Sequence, residues 1–164
     1  MRVAEAPALV FPGELFQRMC ELAEAAYPYE GCGVLVGQDG PAGIQVTQVF
    51  AGQNLVQDRR RDRYELDPRD IIGAERAARV AGEEVVGFFH THPDHPARPS
   101  QFDTDRAWPG YRYVVVAVNG GRMAEATAWR LAEGEEPNRF AQVPLEGGRQ
   151  GPGYNPAGLV AEVP

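Results

Sequence analysis

The sequence lacks lysine altogether: all 16 basic residues of the 164-residue chain are arginines. A compositional bias of the genome, or thermal adaptation, explains such a pattern without a functional cause. Cysteine is nearly absent too, since Cys20 and Cys32 are the only two. Two cysteines are too few for a disulfide scaffold. Both sit among apolar residues, so we expect buried thiols that a cytosolic setting keeps reduced.

Long apolar runs and basic stretches are missing as well. No run approaches the roughly 20 apolar residues that cross a bilayer, and acidic residues and prolines interrupt the N-terminus, unlike a signal peptide. We therefore expect a cytoplasmic protein with no membrane partner. The net charge of -7 disfavours a nucleic-acid partner, which requires a basic face. The basic cluster from Arg59 to Arg63, interleaved with aspartates, predicts a solvated loop or, alternatively, a docking patch for an acidic protein.

Hydrophobic periodicity predicts one α/β domain with a mixed β-sheet flanked by helices. We expect a first helix over 12–27 that Pro28 ends, a second that starts at Asp67–Pro68 and ends at Gly82, and a short third over 101–107. The predicted strands are 32–37, 44–50, 64–66, 85–89, 113–118, 124–131 and 139–143. The composition then becomes rich in glycine and proline. This predicts a folded domain over 1–146 and a loose tail over 147–164, which carries no signature of an oligomer interface.

All three histidines, His90, His92 and His95, fall within six residues. In an extended segment, residues two apart point to the same side. His90 and His92 would therefore present both imidazoles to one point, which suits zinc, a metal that takes neutral ring nitrogens. His95 lies in a proline-rich loop, and we expect it to face the loop or a substrate rather than the metal.

A catalytic zinc ion usually has three protein ligands and one water. Asp103 is the best candidate for the third ligand, because Ser100 and Asp103 are about one helical turn apart and both can face the histidines. Two other aspartates are alternatives for this ligand. Asp94 lies in the proline-stiffened loop, and Asp105 is rotated by about 200° from Asp103 on an ideal helix. A serine followed three residues later by an acid is also the pattern of a helix-capping box, and capping and chemistry can coexist here.

Two blocks of the sequence resemble the JAMM (MPN-plus) zinc metalloprotease family, and above all its small stand-alone bacterial members. The first block is Pro28-x-Glu30-x-Cys32-Gly33-x-Leu35-x-Gly37, and the second is His90-x-His92-Pro93 followed by Ser100-x-x-Asp103. The resemblance implies the JAMM fold, which is related to the cytidine-deaminase architecture. It also implies one zinc ion on His90, His92 and Asp103, with Glu30 as general base and Ser100 as a donor to the oxyanion. One departure is Gly31, where many members have a bulkier residue, and this concerns the shape of the pocket.

The activity that the resemblance implies is hydrolysis of the amide bond after the C-terminal Gly-Gly of a ubiquitin-like sulfur-carrier protein. Two substrates stay open: a carrier bearing one amino acid such as cysteine, and a carrier joined to protein lysines. If carriers attach to lysines, the missing lysines would spare the enzyme its own modification. A non-catalytic scaffold is disfavoured because every ligand position is filled, and a RadC-like DNA-linked protein is disfavoured by the charge of -7. A zinc deaminase would need H-x-E and P-C-x-x-C, which are absent.

Overall fold

The computed structural model describes residues 6–132, 139–147 and 159–160. They form one mixed β-sheet with helices packed on it, which confirms the α/β class. The elements in chain order are β1 (Ala8–Phe11), α1 (Gly13–Ala26), β2 (Cys32–Gly40), β3 (Gly43–Gly52), α2 (Pro68–Ala81), β4 (Glu84–Pro93), α3 (Gln101–Arg106), β5 (Arg112–Asn119), β6 (Arg122–Leu131), β7 (Phe140–Val143), β8 (Leu145–Gly147) and β9 (Leu159–Val160).

Strand β4 lies in the middle of the sheet. The strand order is β7-β6-β5-β4-β2-β3-β1-β8, and β9 pairs with β6 off this path. β4 runs antiparallel to β2 and parallel to β5, so its backbone is hydrogen-bonded on both sides. A strand bonded in this way holds its side chains in defined directions, alternating between the two faces of the sheet.

The two longer helices cover opposite faces of the sheet. On one face, α1 buries Phe16, Met19, Cys20 and Ala23 in a cluster that includes Leu35 of β2 and Phe89 of β4. On the other face, α2 buries Ala74 and Ala78 against Val34 of β2 and Phe88 of β4. The alternation of the strand residues therefore assigns each side of β4 to one helix. None of the helices in the described part of the chain is long and apolar enough to span a membrane.

Local signals account for the ends of α2. The Asp67 side chain accepts a hydrogen bond from the backbone N–H of Arg69, and proline occupies the first helical position. The helix ends at Gly82, whose φ of 72° lies in the left-handed region that favours glycine. Both boundaries agree with the sequence prediction.

The structure differs from the prediction at several places. Strand β1 was not predicted, because its four residues carry no clear alternation and depend on pairing with the distant β3 and β8. The predicted strand over 64–66 is wrong, since only Leu66 forms an isolated bridge, with Asn54. Strand β4 continues to Pro93, beyond the predicted end at Phe89. In the predicted tail, residue 147 belongs to β8 and residues 159–160 to β9, and the others lie outside the described residues.

Candidate metal centre

The carboxyl end of β4 carries both candidate histidines on the α2 face of the sheet. His90 pairs with Cys32 of β2 and Val115 of β5, and His92 pairs with Ala117 of β5. Their Nε2 atoms lie 3.3 Å apart. His90 is 1% exposed, so the pair sits at the floor of a site and not on the open surface. The two imidazoles converge on one point, as the spacing along the strand predicts.

Asp103, on α3, completes a compact triangle of donor atoms. Its Oδ2 lies 3.1 Å from His90 Nε2 and 3.2 Å from His92 Nε2. Ligands about 2.0–2.1 Å from a tetrahedral zinc ion are about 3.3–3.4 Å from one another, because the edge of a tetrahedron is about 1.63 times its centre-to-corner distance. The three atoms therefore have nearly the spacing that one face of a zinc tetrahedron requires.

Ser100 and Asp103 form the helix-capping box that their spacing predicts. The backbone N–H of Asp103 donates to Ser100 Oγ over 3.1 Å, and the backbone N–H of Ser100 donates to Asp103 Oδ2 over 2.8 Å. The cap holds the Asp103 carboxylate in place while Oδ2 faces the histidines. Capping and a place in the site thus coexist in the same two residues.

Glu30 reaches the same site from the segment before β2. Its Oε1 lies 3.9 Å from His92 Nε2, and its Oε2 is buried without a hydrogen-bond partner among the described residues. Ligand atoms of Glu30, His90 and His92 all lie within 4.8 Å of one another, so this trio could also hold a metal ion. Burial raises the pKa of Glu30 from 4.5 to about 8. The carboxyl can therefore exchange a proton near neutral pH.

Burial and hydrogen bonding shift the pKa values of the two histidines and of Asp103 in different directions. His92 Nδ1 lies 2.9 Å from the carbonyl oxygen of Pro96. A proton on Nδ1 that donates there leaves the Nε2 lone pair for a metal. Burial lowers the pKa of His90. Burial also opposes the charge of His92, but hydrogen bonds to Asp103 and Pro96 raise its pKa overall. Burial would raise the pKa of Asp103, but hydrogen bonds from both histidines hold it well below its usual range.

The loop between β4 and α3 is anchored at its middle. Ala97 is 1% exposed, and its carbonyl accepts a hydrogen bond from the Thr127 hydroxyl of β6 over 2.6 Å. Thr127 Oγ1 in turn accepts from the indole N–H of Trp129. This chain of contacts fixes the neighbouring Pro96 carbonyl, which orients the His92 ring.

Three residues outside the predicted set support the site. The Tyr64 ring stacks on His90 with ring centroids 4.6 Å apart and an interplanar angle of 17°. Thr91, which alternation places on the α1 face, accepts a hydrogen bond from the backbone N–H of Gly31. The Asn54 side-chain amide donates to the Glu30 and Arg63 carbonyls. Thr91 lies between the two histidines of an extended segment, so alternation directs it to the opposite face. No local pattern of the sequence distinguishes Tyr64 or Asn54.

The rival ligands lie elsewhere. Asp94 accepts the Tyr27 hydroxyl at 2.7 Å and the backbone N–H of Gly120 at 2.9 Å. Asp105 is exposed and accepts from the side chain of Gln101. His95 is exposed too, in the predicted loop.

Gly31, the departure from the family pattern, does not face the site. A Cβ added there would lie 2.7 Å from the Cβ of Ala26, at the end of α1, and 3.6 Å from Thr91 Cγ2. A side chain at this position would therefore press on α1. The glycine leaves the shape of the pocket in front of Glu30 unchanged.

Two cavities flank the centre. The first, here called the Glu30 cleft, has a volume of about 290 Å³ and is lined by Glu30, Arg61, Asp62, His92, Pro93, His95, Pro96, Arg98 and Ser100. The second, the Trp108 cavity, has a volume of about 250 Å³ and is lined by Tyr64, Glu65, Leu66, Pro68, Ile71, Phe88, Phe102, Asp103, Arg106, Trp108 and Tyr113. Two arginines and two carboxylates are among the residues that line the Glu30 cleft, whereas aliphatic and aromatic residues predominate around the Trp108 cavity.

The chain is similar to proteins of a known family. The family model described as prokaryotic homologs of the JAB domain matches residues 12–132. The chain is similar to a desampylase of Haloferax volcanii, with 38% identity over 59% of this chain and 68% of the relative. It is also similar to a CysO-cysteine peptidase of Mycobacterium tuberculosis, with 29% identity over 79% of this chain and 88% of the relative.

A solved structure supports the fold. The crystal structure of a JAB1/MPN domain protein from Archaeoglobus fulgidus superposes with a TM-score of 0.53 and 17% identity, covering 85% of this chain and 99% of that one. The family match spans both blocks of the sequence and therefore the segments that carry Glu30, the histidines and Asp103. The chain belongs to the prokaryotic JAB-domain family and is a hydrolase of the JAMM type.

Proposed function

We propose that the protein uses one zinc ion to hydrolyse the amide bond after the C-terminal Gly-Gly of a ubiquitin-like sulfur-carrier protein. The observation that carries this proposal is the triangle of two Nε2 atoms and one Oδ2, with edges of 3.1 to 3.3 Å. The relatives named desampylase and CysO-cysteine peptidase support the substrate class.

Asp103 is the better third ligand, and Glu30 the better proton carrier. The edges from Asp103 to both histidines are close to those of a zinc tetrahedron, whereas Glu30 lies 3.9 Å from His92. The low pKa of Asp103 keeps it an anion, which a metal ligand requires. The raised pKa of Glu30, about 8, suits a group that takes and returns a proton.

The residues of the site then have separate roles in the reaction. Zinc, when bound, supplies a Lewis acid that activates water and polarises the scissile carbonyl. Glu30 takes a proton from the attacking water and delivers it to the leaving amine. Ser100 Oγ accepts the Asp103 N–H, and its own hydroxyl hydrogen has no acceptor among the described residues. That hydrogen is available to the oxygen on which negative charge develops.

A Gly-Gly terminus suits this narrow site because it has no side chains. Such a terminus can enter as an extended strand and bind through backbone hydrogen bonds to a sheet edge. The bond after the second glycine then reaches Glu30 and the histidines, which lie at the end of a strand and not on an open surface.

The test is cleavage of two defined adducts. One is a Gly-Gly carrier protein extended by a single cysteine, and the other is the same carrier joined to the side-chain amine of a lysine peptide. We expect the zinc-loaded protein to release the carrier from at least one of them, as followed by mass spectrometry. Glu30→Gln should slow this release about 10²- to 10⁴-fold while zinc stays bound. If the folded, zinc-loaded protein cleaves neither adduct, the proposed substrate class is wrong.

A further inference from the structure

The Glu30 cleft holds two arginines without close partners. Arg61 and Arg98 are exposed, and across the described residues neither guanidinium has a hydrogen-bond acceptor or an ion-pair partner within 4 Å. Asp62, the other carboxylate of the cleft besides Glu30, is paired with Arg59. Asp94 attracts Arg61 at longer range, but its oxygens already accept two hydrogen bonds.

The neighbouring arginines are engaged differently. Arg60 lies over the Tyr29 ring at 4.4 Å from its centroid, and Arg63 lies over the Phe102 ring at 4.0 Å. The basic cluster predicted as one solvated loop or one docking patch is therefore divided among separate contacts. Arg61 is the member that turns to the cleft, where Arg98 joins it from the loop after β4. The cleft thus offers two guanidinium groups that are not paired with a carboxylate of the described residues, and such groups favour an anion there.

The position of Glu30 shows which part of a substrate would occupy this cleft. Glu30 lines the Glu30 cleft but not the Trp108 cavity, which adjoins the centre at Asp103. The group that returns a proton to the leaving amine must lie next to that amine. The leaving group therefore belongs in the Glu30 cleft, beside Arg61 and Arg98.

We propose that Arg61 and Arg98 bind the free α-carboxylate of a single amino acid, and that the preferred substrate is a carrier bearing one amino acid on its terminal glycine. This inference rests on the proposed function. In an α-amino acid the carboxylate carbon is two bonds from the nitrogen, so it stays beside the scissile bond. Guanidinium groups bind carboxylates through short charge-assisted hydrogen bonds. A lysine side chain offers four methylenes in the same place and no negative charge.

The reaction balances without a further reactant. The oxygen of one water forms a bond to the carbonyl carbon of the terminal glycine, and the carbon–nitrogen bond to the amino acid breaks. The proton that Glu30 removes from the water goes to the departing nitrogen. The products are the carrier with a free Gly-Gly carboxylate and one free amino acid, whose own carboxylate stays unchanged throughout.

The test compares two adducts that differ in one group. Both are the Gly-Gly carrier extended by one cysteine, in the first with a free carboxylate and in the second as the carboxamide. For the zinc-loaded wild type we expect the kcat/KM of the carboxylate adduct to exceed that of the carboxamide by roughly 10- to 100-fold. Arg61→Gln and Arg98→Gln should each lower this ratio at least threefold, and the double variant should bring it close to one. Arg76→Gln, at an exposed position of α2, is the matched control and should leave the ratio unchanged.

The outcomes separate this inference from the proposed function. A wild-type protein that cleaves neither the two cysteine adducts nor the lysine adduct contradicts the proposed function itself. Equal rates on carboxylate and carboxamide overturn the inference alone. Arginine variants that slow both adducts by the same factor also overturn it, because the charge of the cleft would then serve the carrier and not the amino acid.

Discussion

Thr91 and Gly31 are joined by a pair of hydrogen bonds. The Gly31 N–H donates to Thr91 Oγ1 over 2.8 Å, and the Thr91 N–H donates to the Gly31 carbonyl over 2.9 Å. Thr91 stands between the two histidines of β4, and Gly31 follows Glu30. The pair therefore ties the strand that bears the candidate ligands to the segment that bears the candidate base, 60 residues apart along the chain.

Replacing Thr91 tests that link. Thr91→Val keeps the shape of the side chain but removes the acceptor of the partly buried Gly31 N–H, and losing such a hydrogen bond typically costs about 0.5–1.5 kcal/mol. We expect a lower melting temperature and an unchanged zinc content. The kcat should fall about tenfold, because the segment that carries Glu30 is no longer fixed beside His92. The matched control is Thr47→Val, since the Thr47 hydroxyl bonds Val36 and Glu83 away from the site. A kcat that falls equally in both variants would show that the link has no special role.

Zinc content separates ligands from the base. His90→Ala, His92→Ala and Asp103→Ala should each lower the zinc content of protein dialysed against micromolar zinc. We expect a fall from about one ion to less than about 0.1 ion per chain, because a site with two ligands binds zinc weakly. Glu30→Gln should keep its zinc. Metal analysis of the dialysed variants checks this, with Asp105→Ala as control because that carboxylate lies outside the site. Loss of zinc from Glu30→Gln but not from the Asp103 variant would exchange the roles of the two carboxyl groups.

The contribution of Glu30 to the stability of the metal-free protein should fall as the pH rises. The folded-state pKa of Glu30 is about 8, above the ordinary value of 4.5. Above pH 4.5 the unfolded chain releases this proton while the folded chain keeps it, so unfolding is favoured increasingly up to about pH 8. Glu30→Gln has no such proton. With a chelator present, we expect Glu30→Gln to gain about 1–3 kcal/mol relative to wild type between pH 5 and pH 8 in denaturant titrations. A constant difference between the two proteins would contradict this assignment.

Both cysteines should be inert in the folded protein. Burial raises the pKa of the Cys20 and Cys32 thiols from 9.0 to about 12, with nearby carboxylates adding to the effect. The thiolate is the reactive form, so alkylation by iodoacetamide at pH 8 should be at least about 100-fold slower than in the unfolded chain. Mass spectrometry of timed samples, with and without guanidinium chloride, checks the rates. Rapid labelling of either thiol in the folded protein would disprove its burial.

Two glycines should respond in opposite ways to alanine. A Cβ at Gly31 would meet the Cβ of Ala26 at 2.7 Å, so Gly31→Ala must displace α1 or the segment that carries Glu30. We expect it to cost about 1–3 kcal/mol and to lower kcat. A Cβ at Gly73, within α2, would meet nothing within 4 Å. Gly73→Ala should therefore stabilise the protein by about 0.5–1 kcal/mol with kcat unchanged, as thermal melts and kinetics will show.

The local part of this structure could be predicted from the sequence. Short apolar runs predicted β2, β4 and β5, and a turn at Asn119–Gly121 predicted β6 as the returning strand. Proline, aspartate and glycine marked the ends of α2, because these signals act within a few residues. That His90 and His92 face the same side follows from the alternation of side chains along an extended segment. The capping box of Ser100 predicted the start of α3 and placed Asp103 on its first turn.

Long-range contacts could not be predicted in this way. Glu30 entered the site only through resemblance to a family, because nothing local shows that its segment lies beside the end of β4. The stacking of Tyr64 on His90 depends on how the loop between β3 and α2 folds back over the sheet. The four bonds of Asn54, which join that loop to the Glu30 carbonyl, likewise exist only after the chain has folded.

The central place of β4 affects how the proposed metal ion would be removed and exchanged. The candidate ligands His90 and His92 stand on a strand whose backbone is bonded to β2 and β5, and both neighbours rest on buried side chains. Small zinc modules unfold without their ion because it replaces a core. Here the buried clusters on both faces of the sheet lie apart from the candidate ligands, so the proposed metal site is preorganised without an ion. Chelation should therefore switch the enzyme off reversibly, and cobalt(II) can be introduced as a coloured reporter without refolding the chain.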